Sequence, residues 1–238
     1  MLILGFDTAT PATVVALLDP STGNSLEGRD DPEPQQRPRH MTALLSLVDE
    51  QMRTLGAGWP DIERIGVGVG PGTFTGLRIG VATAQALARA RDIELVGVST
   101  LHSLALGAAA DATAGEDAAL AVIDARRGEV FAAGWSLADV ADASAEPLLA
   151  PHAVPVDALA GALRASGRAW VVAGDGSVAF RTALERSGAR IPKDDFRRNR
   201  VSAIEHCRLA LGLSPEPPDG IRPAYLRLPD AEINLGAV

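Results

Sequence analysis

The chain has 238 residues, 47% of them apolar, and its 22 basic and 30 acidic side chains give a net charge of -8. That length and apolar content suffice for one large or two small globular domains with ample cores. The acidic balance argues against a free-standing nucleic-acid-binding protein, which would display a basic face. A single cysteine, Cys207, excludes an internal disulfide framework and a multi-cysteine metal site, and favours a reducing cytoplasm.

No export signal or membrane segment is predicted. The apolar N-terminal run is interrupted at Asp7, no basic region precedes it, and no later stretch approaches the roughly 18 apolar residues of a membrane span. We therefore expect a cytoplasmic protein that does not contact a membrane.

The first half of the chain predicts a β-hairpin followed by alternating helices and strands. Prolines between Gly28 and Pro38 predict an exposed loop, after a short third strand around Ser25. Apolar residues spaced three or four apart from Met41 predict an amphipathic helix ending near Gly56 or Gly58. The other predicted elements are strands at 2–6, 13–18, 65–69 and 94–98, and helices at 77–91 and 100–110.

The second half begins after a polar stretch at 111–117, which we take as a domain boundary. A hairpin is predicted from strands 118–124 and 130–135, with Gly128 where a positive φ is needed. Helices are predicted at 155–165, 178–187 and 201–211, and a strand at 170–173. This order predicts an α/β fold in which a mixed sheet flanked by helices occurs twice, in units 1–110 and 111–238.

A glycine-rich loop lies between predicted strand 65–69 and predicted helix 77–91. A strand that turns through glycines into a helix N-terminus presents backbone N–H groups and the positive end of the helix dipole, which can bind an anion. The loop lacks the sequence of a P-loop and the spacing of a dinucleotide fingerprint. The alternative, a tight turn that lets the next helix pack closely, is favoured. The loop residues are Gly70, Pro71, Gly72, Thr73, Phe74, Thr75 and Gly76.

Two aspartates are further candidates for chemistry. Asp7 ends the first strand, and Asp175 lies in a strand-to-helix turn. Both positions suit a carboxylate near a phosphate, but a turn or capping role is more common for an aspartate there.

The histidines and serines do not form a recognisable catalytic pattern. No two of the four histidines have a metal-ligand spacing on one helix face, so no metal site is predicted. No Gly-x-Ser-x-Gly motif occurs, and the serines have no evident partners for a catalytic triad. The residues considered are His40, His102, His152, His206, Ser99, Ser103 and Ser177.

Several segments in order along the chain resemble the TsaB (YeaZ) family. They are residues 1–10, Arg39-His40 ahead of Leu44-Leu45, and the stretches 66–84, 98–101, 123–130 and 223–227, of which the glycine-loop block is the most specific. The resemblance implies an actin-like, ribonuclease H-like fold of two subdomains. It also implies a subunit of the bacterial complex that forms N6-threonylcarbamoyladenosine next to the anticodon of tRNA.

Within that resemblance, the chain looks like a degenerate paralogue of the TsaD transferase. TsaD-like proteins carry Asn-His-x-x-x-His after their fifth strand, and the two imidazoles bind the catalytic metal. Those two positions correspond here to Thr100 and Leu104, and His102 between them cannot replace both. The resemblance therefore implies a binding subunit without catalysis, metal or cofactor.

The resemblance also implies a partner surface on the first two long helices. They would pair with two helices of a TsaD-like subunit, or with a second copy when that subunit is absent. A TsaE-like ATPase would join the complex, and tRNA would be contacted only indirectly. The alternative is that the apolar stripe of the first helix faces the chain's own sheet. The predicted interface residues are Leu44, Leu45, Val48, Met52, Arg78, Ala82 and Ala86.

Two other functions remain open at this stage. An independent actin-like ATPase or small-molecule kinase would use the glycine loop and a nucleotide site, vestigial in the preferred interpretation, at Asp7 and Asp175. A peptidase, the activity suggested by an older naming of the family, ranks lowest because no metal pair or nucleophile can be assembled from the sequence.

Overall fold

The apolar runs near the N-terminus form the centre of a five-stranded sheet. The computed structural model describes residues 1–33, 36–192 and 199–227. The strands are β1 (Leu2–Asp7), β2 (Thr13–Leu18), β3 (Ser25–Asp30), β4 (Ile62–Gly70) and β5 (Glu94–Ser99), in the spatial order β3-β2-β1-β4-β5. β1 is antiparallel to β2 and parallel to β4, so the sheet is mixed.

Helices cover both faces of this sheet. α1 (His40–Leu55) and α2 (Phe74–Arg91) pack side by side on one face, where Leu44, Val48 and Val81 join Phe6 in the core. α1 ends at Gly56, whose φ of 69° is a conformation that favours glycine. α7 (Ala203–Gly212) packs on the opposite face, beside α3 (Thr100–Ala109). The first sheet with α1, α2 and α7 is called the first lobe below.

A second mixed sheet repeats the arrangement. Its strands are β6 (Ala118–Arg126), β7 (Glu129–Ser136), β8 (Leu149–Pro155) and β9 (Trp170–Ala173), in the order β8-β7-β6-β9. α3 covers one face, and α4 (Val156–Ser166), α5 (Asp175–Ala179) and α6 (Arg181–Glu185) lie on the other. This sheet with α3 to α6 is the second lobe. The predicted α/β class, with a mixed sheet flanked by helices in each half, is confirmed.

The segment after α7 returns to the first lobe. We call residues 216–227 the strap. Ile221 of the strap is buried in the core between α2 and the first sheet, and the Ala224 N–H donates to the Val69 carbonyl oxygen at 2.7 Å. The division of the chain at residue 110 stays a prediction, and the part of the predicted second unit after residue 227 lies outside the described residues.

Three local predictions were wrong. β3 continues to Asp30, so the loop begins three residues after Gly28. β8 was not predicted because it contains two prolines, which an edge strand tolerates since one side of it needs no donors. The helix predicted at 178–187 is two short helices, α5 and α6, that break at Phe180.

The β6–β7 turn has a positive φ at Gly128, 78°, as predicted, and also at Arg126 and Arg127, 67° and 58°.

In the part of the chain that the structure describes, no helix combines the length and apolarity needed to cross a membrane.

Candidate functional site

The glycine loop packs closely against the residues that follow β1. The Thr73 N–H donates to the Ala9 carbonyl oxygen at 2.7 Å, and the Thr8 hydroxyl donates to the Gly76 carbonyl oxygen at 2.7 Å. A Cβ at Gly76 would collide with the Thr8 carbonyl oxygen, and one at Gly72 with that of Ala9. The glycines thus allow backbone contact between the loop and the end of β1, and the geometry favours the tight turn over an open phosphate cradle.

The other loop residues have separate roles. Gly70 ends β4 with a φ of 104°, and a cis peptide bond joins it to the buried Pro71. Phe74 begins α2, contacts the tilted ring of Tyr225 with ring centroids 5.1 Å apart, and lies under the Arg78 guanidinium at 3.7 Å. Thr75 is exposed.

Gly76→Ala will destabilise the protein by about 1–3 kcal/mol, because the added methyl group overpacks the contact with Thr8. Gly161→Ala is the matched control, since Gly161 lies inside α4 with nothing within 4 Å of an added Cβ. That control will stabilise the protein by roughly 0.5–1 kcal/mol through helix propensity. Urea unfolding of both variants checks the pair, and equal effects would contradict the packing role of Gly76.

Asp7 does not face solvent but forms the centre of a buried network. Its side chain is 0% exposed. Oδ2 accepts from the Thr100 hydroxyl at 2.7 Å and from His206 Nε2 at 3.0 Å, and Oδ1 accepts from the Ala9 N–H at 2.6 Å. Gly68 makes room for this carboxylate, because any Cβ there would collide with Oδ2. The end of β1 is therefore joined to α3 and α7.

Asp7 and His206 form a buried ion pair. Burial opposes the charged form of each group, but the hydrogen bond and the opposite charge outweigh it, so the pKa of Asp7 is lowered and that of His206 is raised. The other imidazole nitrogen, Nδ1, lies 3.0 Å from the carbonyl oxygen of Ser202, an acceptor that suits a second N–H. Both imidazole nitrogens thus lie against acceptor oxygens, the arrangement of an imidazolium that donates from both.

Ser103, His206 and Asp7 together have the connectivity of a serine-hydrolase triad, which the sequence did not reveal. Ser103 Oγ lies 2.8 Å from His206 Nδ1. All three side chains are buried, and a charged imidazole cannot accept the serine proton. The Ser103 hydroxyl instead donates to the Ser202 carbonyl oxygen at 3.1 Å. The constellation is structural and gives no support to a peptidase.

A cleft of about 440 Å³ lies between the lobes. Its walls include the end of β1 at Thr10, the glycine loop, the β6–β7 hairpin, Asp175 and the last residues of the strap. Asp175 Oδ1 accepts from the N–H groups of Asp124 and Gly176 at 3.0 and 2.8 Å. Its pKa is raised, mainly by burial, with a further contribution from the charge of Asp124. The predicted pairing of Asp7 with Asp175 in one site is wrong, since Asp7 is closed off from the cleft.

The residues that the resemblance places at the metal-ligand positions of TsaD-like proteins make other contacts in this chain. Thr100 donates to Asp7, Leu104 is buried in the core of the second lobe, and His102 stacks on Trp135 and contacts the Val140 carbonyl oxygen at 2.9 Å. Within the three described segments, no group of three or more His, Cys, Asp or Glu residues could hold a metal ion.

The predicted partner stripe divides into two sets. Leu44, Val48 and Met52 are buried against the chain's own sheet, so the prediction that they contact a partner is corrected: a partner could reach them only if α1 came off the sheet. Leu45 is 52% exposed. Arg78, Ala82 and Ala86 lie four residues apart on α2 and are exposed. We call the outward-facing surface of α1 and α2 the two-helix face.

Comparisons with known proteins agree with this architecture. The family model for TsaD, tRNA N6-adenosine threonylcarbamoyltransferase, matches residues 32–183, more than half of the chain. The tRNA threonylcarbamoyladenosine biosynthesis protein TsaB of Escherichia coli (strain K12) is 35% identical over 132 residues, 55% of this chain and 53% of that protein. The chain thus spans about half the length of the curated relative it matches.

Among solved structures, YeaZ from Pseudomonas aeruginosa has a TM-score of 0.73 and 27% identity, covering 94% of this chain and 99% of that one. The ethanolamine utilization protein EutJ from Carboxydothermus hydrogenoformans has a TM-score of 0.51 at 12% identity, over 88% and 90% of the two chains, which shows a shared fold alone.

Proposed function

Because the chain belongs to the TsaB (YeaZ) family and has its actin-like α/β fold, we propose that it is a non-catalytic subunit in the formation of N6-threonylcarbamoyladenosine in tRNA. In this proposal it binds and supports a TsaD-like transferase. A TsaE-like ATPase joins the same complex, a second copy of the chain occupies the partner surface when the transferase is absent, and tRNA is contacted mainly by the partners.

The observation that best supports the non-catalytic role is the complete burial of Asp7. The carboxylate at the end of β1 is one of the two aspartates that the sequence offered for chemistry, and its two oxygens are occupied by Thr100, His206 and Ala9. A buried carboxylate in an ion pair can neither bind a metal in the cleft nor act on a substrate there.

The two-helix face supports the binding role. On α1 it presents Met41, 82% exposed, and Leu45 one turn later, and on α2 it presents the small exposed side chains of Ala82 and Ala86. Small residues let another helix approach closely, and exposed apolar residues supply area to bury. A helical partner that packs on this face would bury both kinds of surface.

The test is co-elution with the TsaD-like protein of the same organism. At micromolar concentrations we expect one peak that contains both proteins in size-exclusion chromatography, and no transferase activity or stoichiometric metal in the purified chain alone. Separate elution of the two proteins, or transferase activity of the chain alone, would refute the proposal.

An actin-like ATPase is the second candidate, and the cleft of about 440 Å³ between the lobes is the observation in its favour. Against it, Asp7 is closed off from the cleft, and the Thr73 N–H is already used by Ala9. Isothermal titration of the chain with Mg-ATP decides between the two, since an independent enzyme should bind the nucleotide tightly without a partner.

A further inference from the structure

The strap crosses from one lobe to the other at the mouth of the cleft. Four contacts hold it to the first lobe before it crosses. The Glu216 N–H donates to the Leu95 carbonyl oxygen at 2.9 Å, Gln85 Nε2 donates to the Ile221 carbonyl oxygen at 3.0 Å, the Ala224 N–H donates to Val69, and Arg89 pairs with Asp219. Ile221 is also buried in the core of that lobe.

Tyr225 still contacts the first lobe through Phe74 and Arg78, and the two residues after it are bound to the second lobe. Leu226 packs against the core under α3 and the second sheet. Arg227 Nη1 donates to the Ala125 carbonyl oxygen at 2.9 Å and pairs with Glu129 Oε2 at 3.2 Å, on the two strands of the β6–β7 hairpin. The change from one lobe to the other thus takes place between Ala224 and Arg227.

A chain this short limits how far the lobes can separate. Three Cα–Cα steps span at most roughly 11 Å, to which only one arginine side chain is added. The lobes are also joined where α3 packs against α7 and Ser103 contacts His206. Proteins whose lobes enclose a cleft commonly open and close by hinge motion.

We propose that residues 224–227 of the strap act as a latch that holds the cleft at a fixed opening. In this proposal the lobes turn about the α3–α7 contact, and the strap restrains them at the cleft that residues 224–227 line. Opening beyond the present geometry requires the loss of the Arg227 contacts and the withdrawal of Leu226 from the second core. The latch is a property of the chain alone, so its test needs no partner protein.

The test measures the distance between the lobes with pairs of spin labels. Cys207 is buried and its pKa is raised, chiefly by burial, so a thiol reagent will modify only introduced cysteines. Asn24→Cys in the β2–β3 turn and Ala165→Cys on α4 place exposed labels on the two lobes. Labelled chain is diluted with unlabelled chain to suppress distances between copies.

With the strap intact we expect a narrow distance distribution. Leu226→Ala together with Arg227→Ala will broaden it and shift it to longer distances, and the amides of residues 124–129 will lose protection from hydrogen exchange. Arg222→Ala, an exposed strap residue ahead of the crossing, is the control and leaves both readouts unchanged.

Two results would overturn the latch: a broad distribution in the parent chain, or an unchanged distribution in the double variant. Thermal unfolding establishes that the double variant is folded when it is measured. If it is not, Arg227→Gln alone replaces it, with the same expected direction and the same opposing outcome.

Discussion

Asp7→Ala will lower the free energy of unfolding by about 3–5 kcal/mol, because it removes the counter-ion of His206 and leaves the buried imidazole without a partner at Nε2. The variant also removes the acceptor of the Thr100 hydroxyl and of the Ala9 N–H. Since a domain is stable by only about 5–15 kcal/mol, this single change brings the chain close to unfolding. Urea unfolding followed by circular dichroism measures the loss.

Asp7→Asn is the matched control, since it keeps the shape of the side chain and removes the charge. His206 can then become neutral and accept a hydrogen bond at Nε2, so the cost is smaller than for alanine. Equal stability of the alanine variant and the parent protein would show that the pair is not needed for the fold.

The Asp7–His206 pair makes the stability of the protein depend on pH in a direction that its pKa shifts define. The raised pKa of His206 gives stability that is complete below its ordinary value of 6.5 and is lost as the pH rises through the folded-state pKa. The lowered pKa of Asp7 gives stability that is present above 3.8 and is lost as the pH falls through its folded-state pKa. The pair therefore contributes most to stability at pH values between 3.8 and 6.5.

Two other histidines make stability change with pH in the opposite direction to His206, so their effect must be separated from that of the Asp7–His206 pair. His40 and His102 have a lowered pKa, caused mainly by burial, so their contribution is lost as the pH falls. The difference between the stability profiles of the parent protein and Asp7→Asn cancels the contribution of His102, but not all of that of His40, because the Asp7 charge opposes the lowering of the His40 pKa by burial. We expect that difference to shrink as the pH rises above 6.5, and a constant difference would contradict the ion pair.

The fold was largely predictable because its signals are local. Apolar runs of strand length, the three-and-four spacing in α1 and the glycine at 56 each depend on neighbouring residues in the sequence. β8 was not predicted because its prolines are acceptable only in an edge strand, and the sequence does not show which strand lies at the edge of the sheet. α5 and α6 were predicted as one helix because the pattern of residues 178–187 does not reveal the break at Phe180.

The buried network was not predictable from the sequence, because its members are far apart along the chain. Asp7 and His206 are separated by 199 positions, and Ser103 and His206 by 103. A lone aspartate after a strand and a histidine beside a cysteine have no spacing that links them. The periodicity of α1 likewise indicated an apolar stripe but not that Leu44, Val48 and Met52 face the sheet while Leu45 faces outward.

Leu45→Arg will weaken binding to the TsaD-like transferase by more than about 2 kcal/mol, or roughly thirtyfold in Kd, while the chain stays folded. The side chain is 52% exposed, so an arginine there extends into solvent in the free protein. In the proposed complex the same guanidinium would be desolvated at a position that an apolar side chain fits, which is the source of the penalty. Isothermal titration with the partner gives the change in Kd, and thermal unfolding confirms the fold.

Two control variants separate the interface from the core. Leu148→Arg makes the same substitution at a 42% exposed leucine of the second lobe, away from the two-helix face, and should leave Kd unchanged. Val48→Arg lies on the same helix as Leu45 but points into the first core, where it is 1% exposed, and should unfold the chain. If Leu45→Arg bound the partner as tightly as Leu148→Arg does, α1 would not be part of the interface, and the partner would have to dock on another surface.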